Sequence, residues 1–412
     1  MKKITAGLVF GFCSMATVAA TPTMEEMWEI IQQQQAEIAR LKEKAAEADE
    51  EIKQTSVKVE ATASMVEESR LSDGKSLASS WTERVSIGGY GEMHYNNLSD
   101  QNNNGGNKDE LDFHRFVFYL GYQFSDKTRL FSEVELEHSY VEGGEESGEF
   151  ELEQAYIEHD LNSTTRVKGG LFLIPVGILN QTHEPETFYG VERNNVEKNI
   201  IPTTWWEGGV ALNGELSPGW SYETTFTSGL KLDANEGQWK IRDGRQKVSE
   251  ADASDPAYTA NLKYTGIAGL EVGATVQYQQ DLYQGKYNQD VPAMLYEAHL
   301  AYRNGPFGLR ALAATWDIDN AINNIQSGAD KQEGWYIEPS WLLMPKLGVF
   351  ARYSEWDNQA GGAGNTEISE WDVGFNYWLE ERVVLKLDYQ FQDAPSDQKE
   401  LQGLNLGLGF SY

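Results

Sequence analysis

Two hydrophobic periods divide the chain. Between residues 24 and 70, apolar or small positions recur every seven residues, at Met24, Ile31, Ile38, Ala45, Ile52, Val59 and Val66. Met27, Gln34, Leu41, Ala48, Thr55 and Thr62 fill the offset of a second seam position, and no Pro or Gly interrupts the run from Met24 to Arg70. Such a register predicts an α-helical coiled coil, extending ~70 Å at about 1.5 Å per residue. Its seam, with Gln34, Thr55 and Thr62, also fits a single solvated helix, and the coil reading makes it a trimeric junction or a periplasmic spacer. Residues 72–82, with Asp73-Gly74, read as the linker that follows.

From Glu83 the period changes to two. Val85, Ile87, Gly89, Gly91 and Met93 alternate with Ser86, Gly88, Tyr90, Glu92 and His94. Phe116, Phe118, Leu120, Tyr122 and Phe124 form one face of the next segment, and Leu130, Val134 and Leu136 oppose Arg129, Glu133, Glu135 and Glu137. The dyad returns in Leu270-to-Tyr278 and Val383-to-Phe391. Segments of about ten residues, apolar outside and polar inside, are the pattern of an all-β, transmembrane antiparallel β-barrel. Closure leaves no unpaired sheet edge in hydrocarbon.

Connections alternate as well. Short turns stand at Ser125-Asp126-Lys127, Ser217-Pro218-Gly219, Gly266 to Gly269, Gly305-Pro306, Pro345-Lys346 and Leu379 to Arg382. Between them lie longer polar loops, such as Asn96 to Asp109, Val141 to Gly148, Lys231 to Asp255, Asp317 to Lys331 and Asp357 to Thr366. Counting hairpins from Glu83 to Tyr412 predicts sixteen strands, with fourteen and eighteen as the alternatives. The last segment alternates Leu404, Leu406, Leu408, Phe410 and a terminal Tyr412 with small or polar residues. A final strand ending on an aromatic resembles the signal read by the barrel-assembly machinery.

One connection breaks the pattern. Residues 175–204, PVGILNQTHEPETFYGVERNNVEKNIIPTT, are long for a structureless loop and carry three prolines. Folded into the lumen, the loop would set His183, Glu184, Glu186, Glu192, Arg193, Glu197 and Lys198 across a channel constriction, where mixed charge filters ions. An extracellular loop without that role is the other reading. Trp205-Trp206 just beyond fits an interfacial aromatic girdle better than a sugar-stacking surface.

Composition sets the compartment. Met1-Lys2-Lys3, the apolar stretch from Ala6 to Ala19 and the small residues Val18-Ala19-Ala20 form a secretory signal over residues 1–20, with a coiled-coil segment expected over 21–71. Cys13, the one cysteine, falls inside that signal. A mature chain without cysteine has no disulfide, thiolate metal site or cysteine nucleophile. The net charge of −31 becomes −33 when Lys2 and Lys3 leave with the signal, which argues against a nucleic-acid partner. Only 40% of the residues are hydrophobic, and after the signal no apolar run approaches the ~20 residues of a membrane helix.

Assigning the apolar face of each strand to lipid places ten cations inward: Arg84, Arg115, Arg129, Arg166, Lys168, Lys263, Arg310, Arg352, Arg382 and Lys386. Eleven acids join them: Glu92, Glu133, Glu135, Glu137, Glu207, Glu223, Glu271, Glu297, Glu338, Asp372 and Asp388. The strand around Leu152 is too irregular to assign. The lumen wall is thus near neutral, and the negative excess lies in loops and coil. Glu133, Glu135, Glu137, Glu142, Glu145, Glu146 and Glu149 form either a cation-attracting vestibule or a solvated surface.

Three runs carry a family resemblance: GLFLIPVG from Gly170 to Gly177, FYGVERN from Phe188 to Asn194, and IIPTTWWEGGV from Ile200 to Val210. With these, residues 80–412 resemble the phosphate-selective porin O/P family. The resemblance implies a sixteen-stranded barrel over 83–412 that assembles as a homotrimer in the Gram-negative outer membrane. It also implies a third long loop folded inward and passive diffusion of small hydrophilic solutes or ions, anions such as phosphate among them. Members known for phosphate carry rows of arginine and a lysine cluster in the channel, and this chain fits that scaffold better than that chemistry.

No enzyme motif emerges. A phosphate-binding loop, a nucleophile elbow and paired cysteines are all missing, and Thr187 stands where a metalloprotease helix after His183-Glu184 would place its second histidine. The reading is therefore of a non-enzyme without cofactor, catalytic or metal residues. A barrel hydrolase, or a tether from outer membrane to cell wall built on the coil, are the alternatives from other classes.

Overall fold

The computed structural model describes residues 83–141, 148–233, 240–319 and 328–412, together with Trp28, which is helical. The expected signal and linker, and the coiled coil apart from Trp28, lie outside the described residues.

Sixteen antiparallel strands follow one another around a closed barrel. They are β1 (Val85–Asp100), β2 (Lys108–Ser125), β3 (Thr128–Glu137), β4 (Phe150–Asp160), β5 (Thr165–Leu173), β6 (Trp206–Ser217), β7 (Trp220–Thr227) and β8 (Ala257–Tyr264). The circuit continues with β9 (Leu270–Gln279), β10 (Ala293–Asn304), β11 (Phe307–Ile318), β12 (Lys331–Met344), β13 (Leu347–Asp357), β14 (Ile368–Glu380), β15 (Val383–Asp393) and β16 (Leu401–Ser411). Two-residue turns close most hairpins at one rim, as at 126–127, 218–219, 305–306, 345–346 and 381–382. The other rim carries the long connections, among them 138–149, 174–205, 228–256 and 280–292.

Side-chain alternation drives the closure. Phe116, Phe118 and Leu120 on β2, Val272 and Val276 on β9, and Leu385, Tyr389 and Phe391 on β15 are exposed on the outer face. Glu92, Arg115, Glu133, Glu135, Lys168, Glu207, Glu297, Glu338, Arg352, Asp372, Lys386 and Asp388 are all buried on the inner one. Aromatic pairs ring the outside near both rims, Trp220 with Tyr264 and Phe307 with Trp341 beside short turns, Trp335 with Tyr353 and Trp371 toward the long loops. Paired aromatics at two heights fit the two water–lipid boundaries.

The terminal strand locks the circle. β16 pairs with β1 from Tyr90↔Ser411 to Asp100↔Leu401, and Tyr412 exchanges backbone hydrogen bonds with Gly89 at 2.9 and 3.1 Å. Its ring stacks on Phe116. A Cβ on Gly89 would lie 2.1 Å from the Val117 carbonyl oxygen and 2.7 Å from the Tyr412 hydroxyl, so this seam needs glycine there.

Two inward placements expected from the strand faces do not hold. Arg84 precedes β1, and Arg382 sits exposed in the two-residue turn between β14 and β15. Tight hairpins end alternation one residue earlier than an unbroken dyad suggests.

Candidate functional site

The long connection 174–205 folds into the barrel. Its stems are joined by Asn180, whose amide donates to the carbonyls of Ile174 (2.8 Å) and Trp205 (2.9 Å) while its oxygen accepts from the Trp205 N–H (2.7 Å). The far side then meets the opposite wall through its own backbone. Arg310 donates to the Thr187 carbonyl (2.7 Å), Asn376 to Phe188 (2.9 Å), Arg352 to Tyr189 (3.2 Å) and Lys386 to Gly190 (2.9 Å). Asp388 accepts from the Val191 N–H at 2.6 Å. Loop carbonyls without helical or sheet partners need donors, and inward cations supply them. Arg310, Arg352 and Lys386, expected to line the lumen, thus spend hydrogen bonds holding the loop.

A short helix, α1 (Asn195–Asn199), follows, capped by the Asn194 side chain at the Glu197 N–H (2.8 Å). Glu197 is fully buried, its Oε2 accepting from the N–H groups of Ile178 (3.1 Å) and Leu179 (2.5 Å) and its Oε1 from the Tyr336 hydroxyl (2.9 Å). It anchors the loop and does not face an aperture. Val196, Ile200, Ile201 and Trp205 pack beneath it with Trp316, Leu295 and Leu312 of the wall. Leu230, Leu232 and Ile241 from 228–256, with Leu282 and Tyr283 from 280–292, extend this core. Trp205 rests against Trp316 with ring centroids 6.1 Å apart, and Trp206 is also buried, so the pair belongs to the interior and not to a girdle.

What remains of the lumen beside β1–β4 is a cavity of about 340 Å³. Glu92, Glu137, Glu149, Glu151, Glu153 and Glu192 line it, as do Arg115, Arg193, Lys198, Arg242, Arg245 and Lys247. The signs are sorted. Five of the acids come from β1–β4 and the loop between β3 and β4, whereas five of the cations come from the two inward connections. Arg242 donates to the carbonyls of Lys198 (2.7 Å) and Thr203 (2.8 Å), and Arg245 to Thr204 (2.6 Å), which fixes the cationic bank. Burial beside Arg245 brings the Arg242 guanidinium down to about 10, still charged at neutral pH. Lys247 reaches across to Glu149 and Glu151.

Of the expected constriction residues, Glu192, Arg193 and Lys198 meet in this cavity. His183 is buried between Glu133 and Glu153, Glu186 lines a second cavity of about 560 Å³ toward the short-turn rim, and Glu184 is half-buried on the loop. Phe188 lines both cavities. Arg129 pairs with Glu158 and Asp160 near the short turns. Glu142, Glu145 and Glu146 lie outside the described residues. The cations Arg242, Arg245 and Lys247 escaped the sequence reading, although a basic run from Lys240 to Lys247 in so acidic a chain is an available signal.

The fold has parallels among known proteins. The family model for Gram-negative porins matches residues 210–397. An uncharacterized protein of Aquifex aeolicus (strain VF5) is 32% identical, the match covering 77% of each chain. Among solved structures, the outer membrane channel DcaP of Acinetobacter baumannii aligns with a TM-score of 0.56 at 13% identity, over 80% of this chain and 97% of that one. The anion-selective porin from Comamonas acidovorans gives 0.56 at 11% identity, over 80% and 99%. OmpT of Vibrio cholerae gives 0.54 at 11% identity, over 80% and 97%. At these identities the structures share the fold alone. The protein is a closed sixteen-stranded barrel with the fold of these outer-membrane proteins, and residues 210–397 carry the match to Gram-negative porins. It belongs to the same family as the Aquifex aeolicus protein.

Proposed function

We propose that the chain is a general porin, passing small hydrophilic solutes of either sign past the edge of its inward loop. The observation that carries this reading is the cavity beside β1–β4, where five carboxylates on the wall face five cations on the inward connections, with Arg115 and Glu192 each on the opposite bank from their own sign. Opposed charges across a narrow opening orient a dipolar solute and cancel in net field, so neither sign of ion is strongly excluded. The cationic bank carries the second reading, a pore that prefers anions such as phosphate, with Arg193, Arg242 and Arg245 as its contacts. As parts of the same proposal, three copies assemble through the barrel and the coil of residues 21–71, and the coil hangs in the periplasm as spacer or tether. The strand ending at Tyr412 is what the assembly machinery recognises.

The test is the reversal potential of the purified protein in a planar bilayer under a salt gradient, with chloride then replaced by phosphate. A general porin gives a small potential and little change on replacement. A strong anion potential with block by phosphate supports the second reading. Arg242→Gln with Arg245→Gln sharpens the result, since removal of cations from one bank moves the potential toward cation preference.

A further inference from the structure

Glu133, Glu153 and His183 converge in a way the pore does not require. All three are buried, with relative exposures of 1%, 2% and 3%. His183 Nδ1 lies 3.2 Å from the Asn180 carbonyl, which can only accept, so that nitrogen carries a proton. Nε2 is thereby turned toward two carboxylates, 3.5 Å from Glu133 Oε1 and 3.8 Å from Glu153 Oε2. Among the described residues none of these three atoms makes a hydrogen bond, and all lie within 4.8 Å of one another.

The separations decide what belongs there. Hydrogen bonds from nitrogen to oxygen run about 2.7–3.2 Å. Ligand atoms about 2.1 Å from a shared tetrahedral ion stand about 3.4 Å apart. The observed approaches are too long for the first and near the second. Charge points the same way. Arg115, the cation next to this cluster, is committed to Glu92 at 2.5 Å, leaving the buried carboxylates of Glu133, Glu153 and the adjacent Glu135 against one imidazole. Buried carboxylates without partners are costly.

Local structure is arranged to bring the atoms together. The β3–β4 register passes from Glu133↔Gln154 to Val134↔Leu152, so Glu153 is the extra residue of a β-bulge. A bulge re-aims a side chain, and here it turns the Glu153 carboxylate inward beside that of Glu133. Gln154 holds the other Glu133 oxygen at 2.6 Å. An imidazole oriented through its second nitrogen and a carboxylate held by an amide are the outer-shell supports that metal ligands use.

We propose that Glu133, Glu153 and His183 bind one divalent metal ion of the zinc class, clamping the inward loop to the β3–β4 wall. Two carboxylates and an imidazole leave a fourth position for water. The ion would hold the loop on the side where it lacks the apolar core.

Full-length protein extracted from outer membranes in detergent, stripped with chelator and titrated with zinc chloride by calorimetry, tests this. One zinc per chain is expected, with affinity lowered about tenfold or more by Glu153→Gln or His183→Gln, and unchanged by His94→Ala combined with His114→Ala. Zinc should raise the heat-denaturation midpoint of the unsubstituted protein. Glu153→Gln keeps the side-chain volume, so its folding is checked by the same melt. Absence of zinc binding by the unsubstituted protein overturns the proposal, leaving a protonated His183 to neutralise the pair. Loss of binding in the His94/His114 variant but not in Glu153→Gln overturns it too, since the ion then belongs to the histidines facing the pore.

Discussion

The two halves of the barrel lumen use one backbone pattern for opposite ends. Along β10–β13, inward positions include Leu295, Leu312, Trp316, Tyr336 and Trp356, which close over the apolar underside of the loop 174–205. Along β1–β4, inward positions are Glu92, His94, Arg115, Glu133, Glu135 and Glu153, and a cavity remains. Burial of apolar area stabilises by roughly 25 cal/mol per Å², so the first half fills itself at the level of the loop, and its cavity of about 560 Å³ lies beyond that core toward the short turns. Charged side chains keep water and leave the second half open. The lesson is that the position of the open lumen is set by which inward faces are greasy, and the loop falls toward those.

If that division is right, the largest effect comes from breaking the filled side. Glu197→Ala removes the acceptor of two backbone N–H groups and of the Tyr336 hydroxyl in a fully buried place. Unsatisfied buried groups cost about 1–3 kcal/mol each, so a stability loss of about 3 kcal/mol or more is expected, read as a lowered heat-denaturation midpoint, with noisy channel currents. Glu192→Ala, on the open side, replaces a partly exposed side chain held by Asn96 (3.2 Å), His94 and Lys108. Exposed pairs contribute about 1 kcal/mol or less. Equal melting of the two variants would erase the comparison.

An intermediate effect belongs to the boundary. Phe188 lines both the upper and the lower cavity, its backbone carbonyl held by Asn376 and its ring 3.5 Å below the Lys386 ammonium. Phe188→Ala should join the two spaces and raise single-channel conductance by about twofold, as widening a constriction does. Unchanged conductance would mean that solutes pass elsewhere.

Much of this organisation is readable in the sequence, and the failures have physical reasons. A dyad repeat with an aromatic end specifies strands, closure and most inward residues, because alternation is a property of every strand. Twelve of the inward assignments are buried, from Glu92 to Asp388 by way of Glu133, Lys168 and Arg352, and follow from that rule alone. Glu153 escapes it because a bulge shifts the phase between Leu152 and Ile157, both of which face outward. Glu197 reads as a free charge in a polar loop, since nothing local announces that Ile178, Leu179 and Tyr336 will converge on it. The same holds for Leu230, Leu232 and Ile241, scattered apolar residues in a connection that reads as polar and packs inward through contacts far apart in sequence.

The smallest effect sharpens the comparison by being absent. Arg382 and Lys386 belong to one hairpin and both read as inward cations, yet only Lys386 reaches the lumen. Its ammonium donates to the Gly190 carbonyl at 2.9 Å, so Lys386→Met removes a strut of the loop and should alter conductance together with selectivity. Arg382 is exposed in the turn, where its charge is screened by salt over a Debye length of about 10 Å. Arg382→Gln should therefore leave the reversal potential and the conductance where they were. A shift in selectivity from Arg382→Gln alone would mean that the short-turn rim, and not the cavity beside β1–β4, sets which ions enter.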